Sequence, residues 1–116
     1  AGATVEDAYV APFTTLGADV TVEEGKALAQ LVALSMLSSL ERALGDLDRI
    51  TGWARVHGLV NSTPGFDRQP IVVNGFSELV VDLFGPEIGR HARSAIGVAA
   101  LPFNMAVEIE AEVLIG

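Results

Sequence analysis

The stretch that decides the fold lies at the C-terminal end of the chain and reads VEIEAEVLI, residues 107–115. Apolar and acidic residues alternate along it, which is the two-residue period of a β-strand with one buried face. The odd-numbered residues are predicted to face the core. Glu108, Glu110, Glu112 and Leu114 are predicted to face the other side, so that this side of the sheet carries three carboxylates.

Upstream of this strand the period of the apolar residues changes between helical and extended. A helix is predicted to begin at the capping box formed by Thr21 and Glu24 and to end at Gly45, which can adopt the left-handed cap. The other predicted elements are a strand over residues 50–60, a helix over residues 72–83, a strand over residues 91–99 and a weaker extended segment over residues 8–13. This order predicts one α+β domain spanning residues 1–116, with both helices on one face of a mixed or antiparallel sheet.

The alternation in the two other strands predicts which side chains share the acidic face. Arg93 and Ala95 are predicted to point to the same side as Glu108, and Trp53 is predicted to lie on that side too. A guanidinium beside a carboxylate can hold an anionic ligand next to a group that positions a proton. The alternative is a solvated surface or cross-strand ion pairs, with Glu110 and Glu112 either solvated or paired with Arg55 or with a neighbouring subunit.

Composition and charge limit the classes of function. Of 116 residues, half are hydrophobic, 19% are charged and none is cysteine, which excludes disulfides, cysteine-ligated metals and a thiol nucleophile. The net charge of −8 argues against nucleic acid as a partner, because affinity for phosphates needs basic residues. The longest apolar stretch, residues 27–40, is broken by polar residues and is shorter than a bilayer span. We therefore expect a cytoplasmic protein without a membrane partner.

Several short motifs, in order and closely spaced, carry a family resemblance. HARS at residues 91–94, VAALP at residues 98–102 and VEIEA at residues 107–111 resemble the C-terminal signature of the RidA (YjgF) family. LGDLDRI at residues 44–50 and VNGF at residues 73–76 also resemble that family. The resemblance extends from about Gly17 to Ile115 and is closest to a divergent branch whose function is uncertain.

The resemblance implies a chorismate-mutase-like subunit in a homotrimer, with a ligand cleft at each subunit boundary. Family members with deaminase activity hydrolyse enamines and imines to 2-oxo acids and ammonia, and they need no metal or cofactor. By motif position Arg93 would bind the substrate carboxylate, the amide of Ala95 would add a hydrogen bond, and Glu108 would be the catalytic residue that positions water. Gly2 would stand at the end of a substrate-binding turn. Asn74 matches a family asparagine near the start of the second helix. It is grouped with the predicted substrate-binding residues, and capping or an interface hydrogen bond is favoured over catalysis.

Three departures from the family pattern keep a second function open. The family's opening strand is predicted to be missing or shortened, residues 63–66 form an inserted loop, and Ala95 stands where many members carry cysteine. The alternative function is a trimeric protein that binds a small carboxylate at the same clefts without catalysis.

Overall fold

The computed structural model describes residues 2–9 and 15–116, and this part of the chain contains four strands and two long helices. The strands are β1 (Gly2–Tyr9), β2 (Ile50–Asn61), β3 (Ala92–Val98) and β4 (Val107–Ile115), and the helices are α1 (Val22–Leu44) and α2 (Gln69–Gly89). The order helix, strand, helix, strand, strand that the sequence predicts from residue 21 onward is confirmed.

The ends of the helices follow from local chemistry. The backbone amide of Glu24 donates to the hydroxyl of Thr21 at 3.1 Å, and the amide of Thr21 donates to the Glu24 carboxylate at 3.0 Å, so the predicted capping box is present. Gly45 ends α1 with φ of 84°. The chain leaves the helical conformation at Gly85, where φ is 79°, and makes one more turn to Gly89. The second helix is thus interrupted where the sequence predicts its end.

The four strands form one mixed sheet in the order β1-β4-β2-β3. Strand β4 runs antiparallel to both β1 and β2, whereas β3 runs parallel to β2. A parallel neighbour requires a crossover connection, and α2 provides it. Both helices pack on the same face of the sheet and share one hydrophobic core with it. The predicted α+β architecture, with two helices on one face of a mixed sheet, is confirmed.

Strand β1 forms one edge of the sheet. Its register with β4 runs from Gly2 opposite Leu114 to Tyr9 opposite Val107. The extended segment predicted over residues 8–13 overlaps β1 only at its first two residues, and residues 10–14 lie outside the described part of the chain. That the family's opening strand is missing or shortened stays a prediction.

Two irregularities in the pairing of β2 with β4 change which of its side chains are buried. The register shifts by one residue between Ile50 and Gly52 and again between Trp53 and Arg55. Each extra residue reverses the alternation, so core residues in this part of β2 lie three apart rather than two. The placement of Trp53 on the acidic face is therefore wrong. Trp53 is 2% exposed, and its ring lies 5.5 Å from that of Phe84.

Helix α1 is long and apolar enough, by length and composition alone, to cross a membrane. It is longer than the apolar stretch of residues 27–40 noted in the sequence. Its buried side chains, which belong to the common core, are Ala29, Val32, Ala33, Met36, Leu37 and Leu40. They recur at three- and four-residue spacing, which is typical of the core-facing stripe of a helix in a globular domain. A cytoplasmic location stays a prediction.

Candidate functional site

The parallel pairing of β3 with β2 decides which way Arg93 faces. Arg93 lies opposite Val56 and Ala95 lies opposite Gly58, and facing residues of neighbouring strands point to the same side. Because Val56 is fully buried beneath the helices, Arg93 and Ala95 lie on the helix face. The prediction that they share a face with Glu108 is wrong.

The error has a physical cause in the small residues of β3. The bulky Ile96 and Val98 suggest a core face, yet Ile96 is 45% exposed on the side away from the helices. The helix face of this edge strand carries Ala95 and Gly97 instead. A Cβ at Gly97 would lie 2.5 Å from Oγ of Ser62 and 2.6 Å from Nε2 of Gln69, so these two side chains would have to move to admit a larger residue at that position.

Two polar residues of α2 hold the guanidinium of Arg93. Nη1 donates to Oδ1 of Asn74 at 2.7 Å and to Oγ of Ser77 at 3.3 Å. Asn74 and Ser77 lie three residues apart and therefore share one side of the helix. Both hydrogen bonds leave from Nη1, so the edge formed by Nε and Nη2 points away from them. That edge has the geometry of a fork that binds a carboxylate with two hydrogen bonds.

The charge of Arg93 has no ionic partner within the described part of the chain, where the salt bridges involve Lys26 and Arg55. Arg93 lines an open groove of about 220 Å³ together with Ser77, Val81, Arg90 and His91. None of these side chains is acidic. In a chain of net charge −8, this groove offers a place where an anion meets positive charge without a competing carboxylate.

His91 extends the hydrogen bonds around Arg93. Nε2 lies 2.9 Å from Oγ of Ser77, and Nδ1 lies 2.7 Å from the backbone carbonyl oxygen of Gly89. Burial lowers the pKa of His91 below its usual value, the hydrogen bond to Gly89 opposes this, and the charge of Arg93 lowers it further. His91 is therefore favoured in its neutral form at neutral pH.

Glu108 lies on the opposite face of the sheet. Its neighbours in the register are Leu59 of β2 and Ala8 of β1, and it alternates with the core residues Val107 and Ile109. The predicted placement of Glu108, Glu110 and Glu112 on the face away from the helices is confirmed, and all three are half-buried there. Because the sheet separates Glu108 from Arg93, the two residues do not meet within one chain.

Of the other predicted site residues, two lie near Arg93 and one lies far from it. Asn74 and Ala95 lie beside Arg93 on the helix face, and Asn74 contacts it directly. Gly2 begins β1 at the far edge, with β4 and β2 between it and β3. The structure therefore gathers Arg93, Asn74 and Ala95 in one place and leaves Gly2 and Glu108 outside it.

On the acidic face, Arg55 differs from Arg93 because it is paired with carboxylates. Its Nη1 lies 3.7 Å from Oε1 of Glu110 and 3.6 Å from Oε1 of Glu112. Of the alternatives left open for these glutamates, pairing with Arg55 is present in the structure. The cross-strand register places Arg55 directly opposite Glu112.

A larger hollow of about 490 Å³ lies at the carboxyl end of β3. It is lined by Thr15, Ser62, Thr63, Pro64, Phe66, Gln69, Gly97, Val98 and Ala99. The predicted inserted loop of residues 63–66 therefore forms one of its walls. Since its lining carries no charged side chain, this hollow lacks the cation that a carboxylate needs.

Sequence reasoning missed the contribution of Ser77 and gave His91 no role. Ser77 had a detectable signal, because it follows Asn74 by three residues on a helix that packs beside Arg93. His91 lies just before the first residue of β3, so neither strand nor helix periodicity fixes its direction. Its contact with Ser77 spans fourteen residues of sequence and depends on the turn after Gly85.

A comparison with known proteins identifies the family to which this chain belongs. A family model described as "YjgF/chorismate mutase-like, putative endoribonuclease" matches residues 9–112. The chain belongs to the YjgF family. Its α+β subunit is thus the YjgF/chorismate-mutase-like fold that the short C-terminal motifs predict, and the predicted RidA (YjgF) resemblance is confirmed.

Individual relatives support the same assignment. Protein TCP17 of Trypanosoma cruzi is 51% identical over 96 residues, which cover 83% of this chain and 60% of that protein. The chain thus spans less than two thirds of this curated relative. The crystal structure of Atu1372 from Agrobacterium tumefaciens, a protein of unknown function, is 38% identical with a TM-score of 0.90, and the match covers 96% of this chain and 74% of that one. A Shewanella oneidensis structure described as "a putative endoribonuclease" is 29% identical with a TM-score of 0.88, covering 97% and 78%.

Proposed function

We propose that this YjgF-family protein is a RidA-type deaminase that hydrolyses small 2-imino acids to 2-oxo acids and ammonia. The observation that carries the proposal is Arg93, whose guanidinium is fixed by two neutral acceptors and has no carboxylate partner in the described chain. A 2-imino acid offers one permanent negative charge, which matches one such fork. By family position, the backbone amide of Ala95, two residues along β3 from Arg93, would add a hydrogen bond to the bound substrate.

Hydrolysis of an imine requires little more than the correct orientation of one water molecule. Water adds to the electrophilic imine carbon, and one of its protons passes to the imine nitrogen to give a carbinolamine. The remaining hydroxyl proton then passes to the nitrogen, the carbon–nitrogen bond breaks, and the 2-oxo acid and ammonia are released. A carboxylate that accepts a hydrogen bond from the attacking water raises its nucleophilicity and directs it to the carbon. Glu108 is the residue proposed for this role by family position.

The separation of Arg93 and Glu108 makes the proposal depend on a second copy of the chain. Within one chain the sheet lies between them, so one copy must supply Arg93 and another must supply Glu108. A homotrimer with a cleft at each boundary satisfies this requirement, because a heterologous interface joins different surfaces of adjacent subunits in a closed ring. The exposed Ile96 and Leu114, on the face without helices, support such burial.

Mixing two inactive variants tests the shared site. We expect Arg93→Ala and Glu108→Ala each to lose deaminase activity toward freshly generated 2-aminoacrylate, followed by semicarbazide trapping. When the two variants are unfolded and refolded together, random assembly pairs an intact Arg93 with an intact Glu108 at about one quarter of the boundaries. Recovery of about that share of activity supports the proposal. No recovery, or no parent activity above buffer, contradicts it.

The second candidate is a protein that binds a small carboxylate without catalysis. It is favoured by the same separation, because Arg93 with Asn74 and Ser77 forms an anion site that does not need Glu108. Calorimetry with 2-oxobutyrate separates the two candidates. Tight binding that depends on Arg93, together with no turnover, supports the binding protein.

Ribonuclease activity, which the description of the family model carries, receives no support from this chain. Seven basic residues against fifteen acidic ones leave no basic stripe for an RNA backbone. We expect no cleavage of RNA at low salt.

A further inference from the structure

The hydrogen bonds behind Arg93 have a fixed direction. The carbonyl oxygen of Gly89 can only accept, so Nδ1 of His91 carries the proton of the neutral ring. Nε2 is then an acceptor, and the hydroxyl of Ser77 donates to it. The lone pairs of Ser77 Oγ are left to face Nη1 of Arg93. Neutral His91 thus determines the direction in which Ser77 presents its oxygen.

The charged groups around His91 disfavour its protonation. Arg93 of β3 and Arg90 of the preceding turn line the same groove, and the part of α2 that lines it contributes the neutral Ser77 and Val81. The acidic residues Glu78 and Asp82 of α2 line a different groove, between the two helices. Protonation of His91 would therefore add a third positive charge to a groove whose described lining has no carboxylate.

We propose that His91 is a positioning residue for Arg93, acting through Ser77, and that only its neutral form holds the guanidinium ready for a carboxylate. This inference rests on the proposed function, since it assumes that Arg93 binds the substrate. Asn74 and Ser77 together fix Nη1 and so set the plane of the guanidinium. When Nε2 gains a proton it becomes a donor, the Ser77 hydroxyl loses its acceptor, and the imidazolium repels Arg93.

The same protonation would also attract an anionic ligand, and distance decides between the two effects. The imidazole is separated from Arg93 only by the Ser77 oxygen. A carboxylate on the Nε–Nη2 edge would lie on the far side of the guanidinium and so farther from the imidazole than Arg93 does. Screening, with a Debye length of about 8 Å in physiological salt, therefore weakens the attraction more than the repulsion. We expect acidification to weaken substrate binding.

Steady-state kinetics from about pH 8.5 down to pH values below the lowered pKa of His91 test this role. In the parent protein we expect KM to rise as the pH falls through that pKa, toward a limit about tenfold higher, the effect of losing one hydrogen bond to a charged group, with kcat changed less than about twofold. His91→Gln keeps an acceptor for Ser77 but does not titrate. It should hold the low KM at every pH.

Two further variants separate positioning from folding. Ser77→Ala removes the link and should give a high KM that no longer responds to pH in this range. His57→Gln is the matched control, because His57 is the other histidine of the chain and lies on the opposite face of the sheet. Its profile should equal that of the parent. A KM that falls on acidification, or a profile that His91→Gln leaves unchanged, overturns the inference.

Failure of the proposed function gives a different result. If the parent shows no turnover, the same pH series is measured as the Kd of 2-oxobutyrate by calorimetry. A Kd that weakens on acidification in the parent and stays constant in His91→Gln supports the positioning role even without catalysis. Absence of both turnover and binding overturns the proposed function and this inference together.

Discussion

Each face of the sheet carries an arginine, and the two arginines differ in their hydrogen-bond and ionic partners. On the face away from the helices, Arg55 lies within 3.7 Å of the carboxylates of Glu110 and Glu112. On the helix face, Arg93 is held by the amide oxygen of Asn74 and the hydroxyl of Ser77, which fix its position without cancelling its charge. A neutralised guanidinium stabilises a surface, whereas a positioned and uncompensated one can bind an anion.

The largest effect should come from removing the uncompensated arginine. We expect Arg93→Ala to weaken the binding of 2-oxobutyrate by about 100-fold, because a bidentate charge-assisted pair contributes roughly 3 kcal/mol. Arg55→Ala should change the affinity less than about twofold. Isothermal titration calorimetry measures both. Equal losses in the two variants would show that binding follows overall charge and not the positioned fork.

Two glycines of β2 test the packing that places α2 over Arg93. A Cβ at Gly58, on the helix face, would lie 2.6 Å from Cγ2 of Val73 in α2, whereas a Cβ at Gly52 would lie 3.3 Å from the mobile end of Leu114. We expect Gly58→Ala to lower the free energy of unfolding by about 1–3 kcal/mol, since valine is branched and cannot turn away easily.

Gly52→Ala is the control in the same strand. It should be neutral or slightly stabilising, because alanine restricts the unfolded chain more than glycine does. Urea unfolding measures both changes. A destabilisation as large for Gly52→Ala as for Gly58→Ala would contradict the close contact between α2 and the helix face.

These contacts also show which parts of the molecule the sequence could predict. The capping box at Thr21 and the alternation of β4 depend on residues close in sequence, so both were predictable. The faces of Trp53 and Arg93 were not. Trp53 depends on two bulges that become visible only in the pairing with β4, and Arg93 depends on parallel pairing with a strand about forty residues upstream.

The candidate site likewise contains residues that the sequence could predict and residues that it could not. Family motifs singled out Arg93, Asn74 and Ala95, and the structure places them together. They also suggested Glu108, which the sheet separates from Arg93 in one chain. The contact between Ser77 and His91 is not visible in any local sequence pattern, because the turn after Gly85 brings the two residues together.

The pH dependence of stability should report on the burial of His91. Burial lowers the pKa of His91 in the folded protein, so the unfolded chain binds more protons between that value and the unfolded value of about 6.5. The contribution of His91 to the free energy of unfolding is therefore present above about pH 6.5 and is lost as the pH falls toward the folded pKa. Urea unfolding at both ends of this pH range should show that acidification lowers the free energy of unfolding less in His91→Gln than in the parent. An unchanged loss in His91→Gln would contradict this assignment.

The smallest effect on stability is expected from weakening the ion pairs of Arg55. Glu112→Gln should lower the free energy of unfolding by less than about 1 kcal/mol, because Arg55 keeps the carboxylate of Glu110 as its second partner. Combining it with Glu110→Gln should cost more than the two single changes added together. Strict additivity in thermal or urea unfolding would show that the two glutamates do not share Arg55.

A crystal of the parent protein soaked with 2-oxobutyrate tests the central claim most directly. The account predicts that the ligand's carboxylate lies within hydrogen-bond distance of Nε and Nη2 of Arg93, while Nη1 keeps Asn74 and Ser77. It further predicts that Glu108 from a second copy of the chain faces the keto carbon across one water molecule. An Arg93 already paired with a carboxylate of a neighbouring copy, or a ligand bound away from it, would contradict the account.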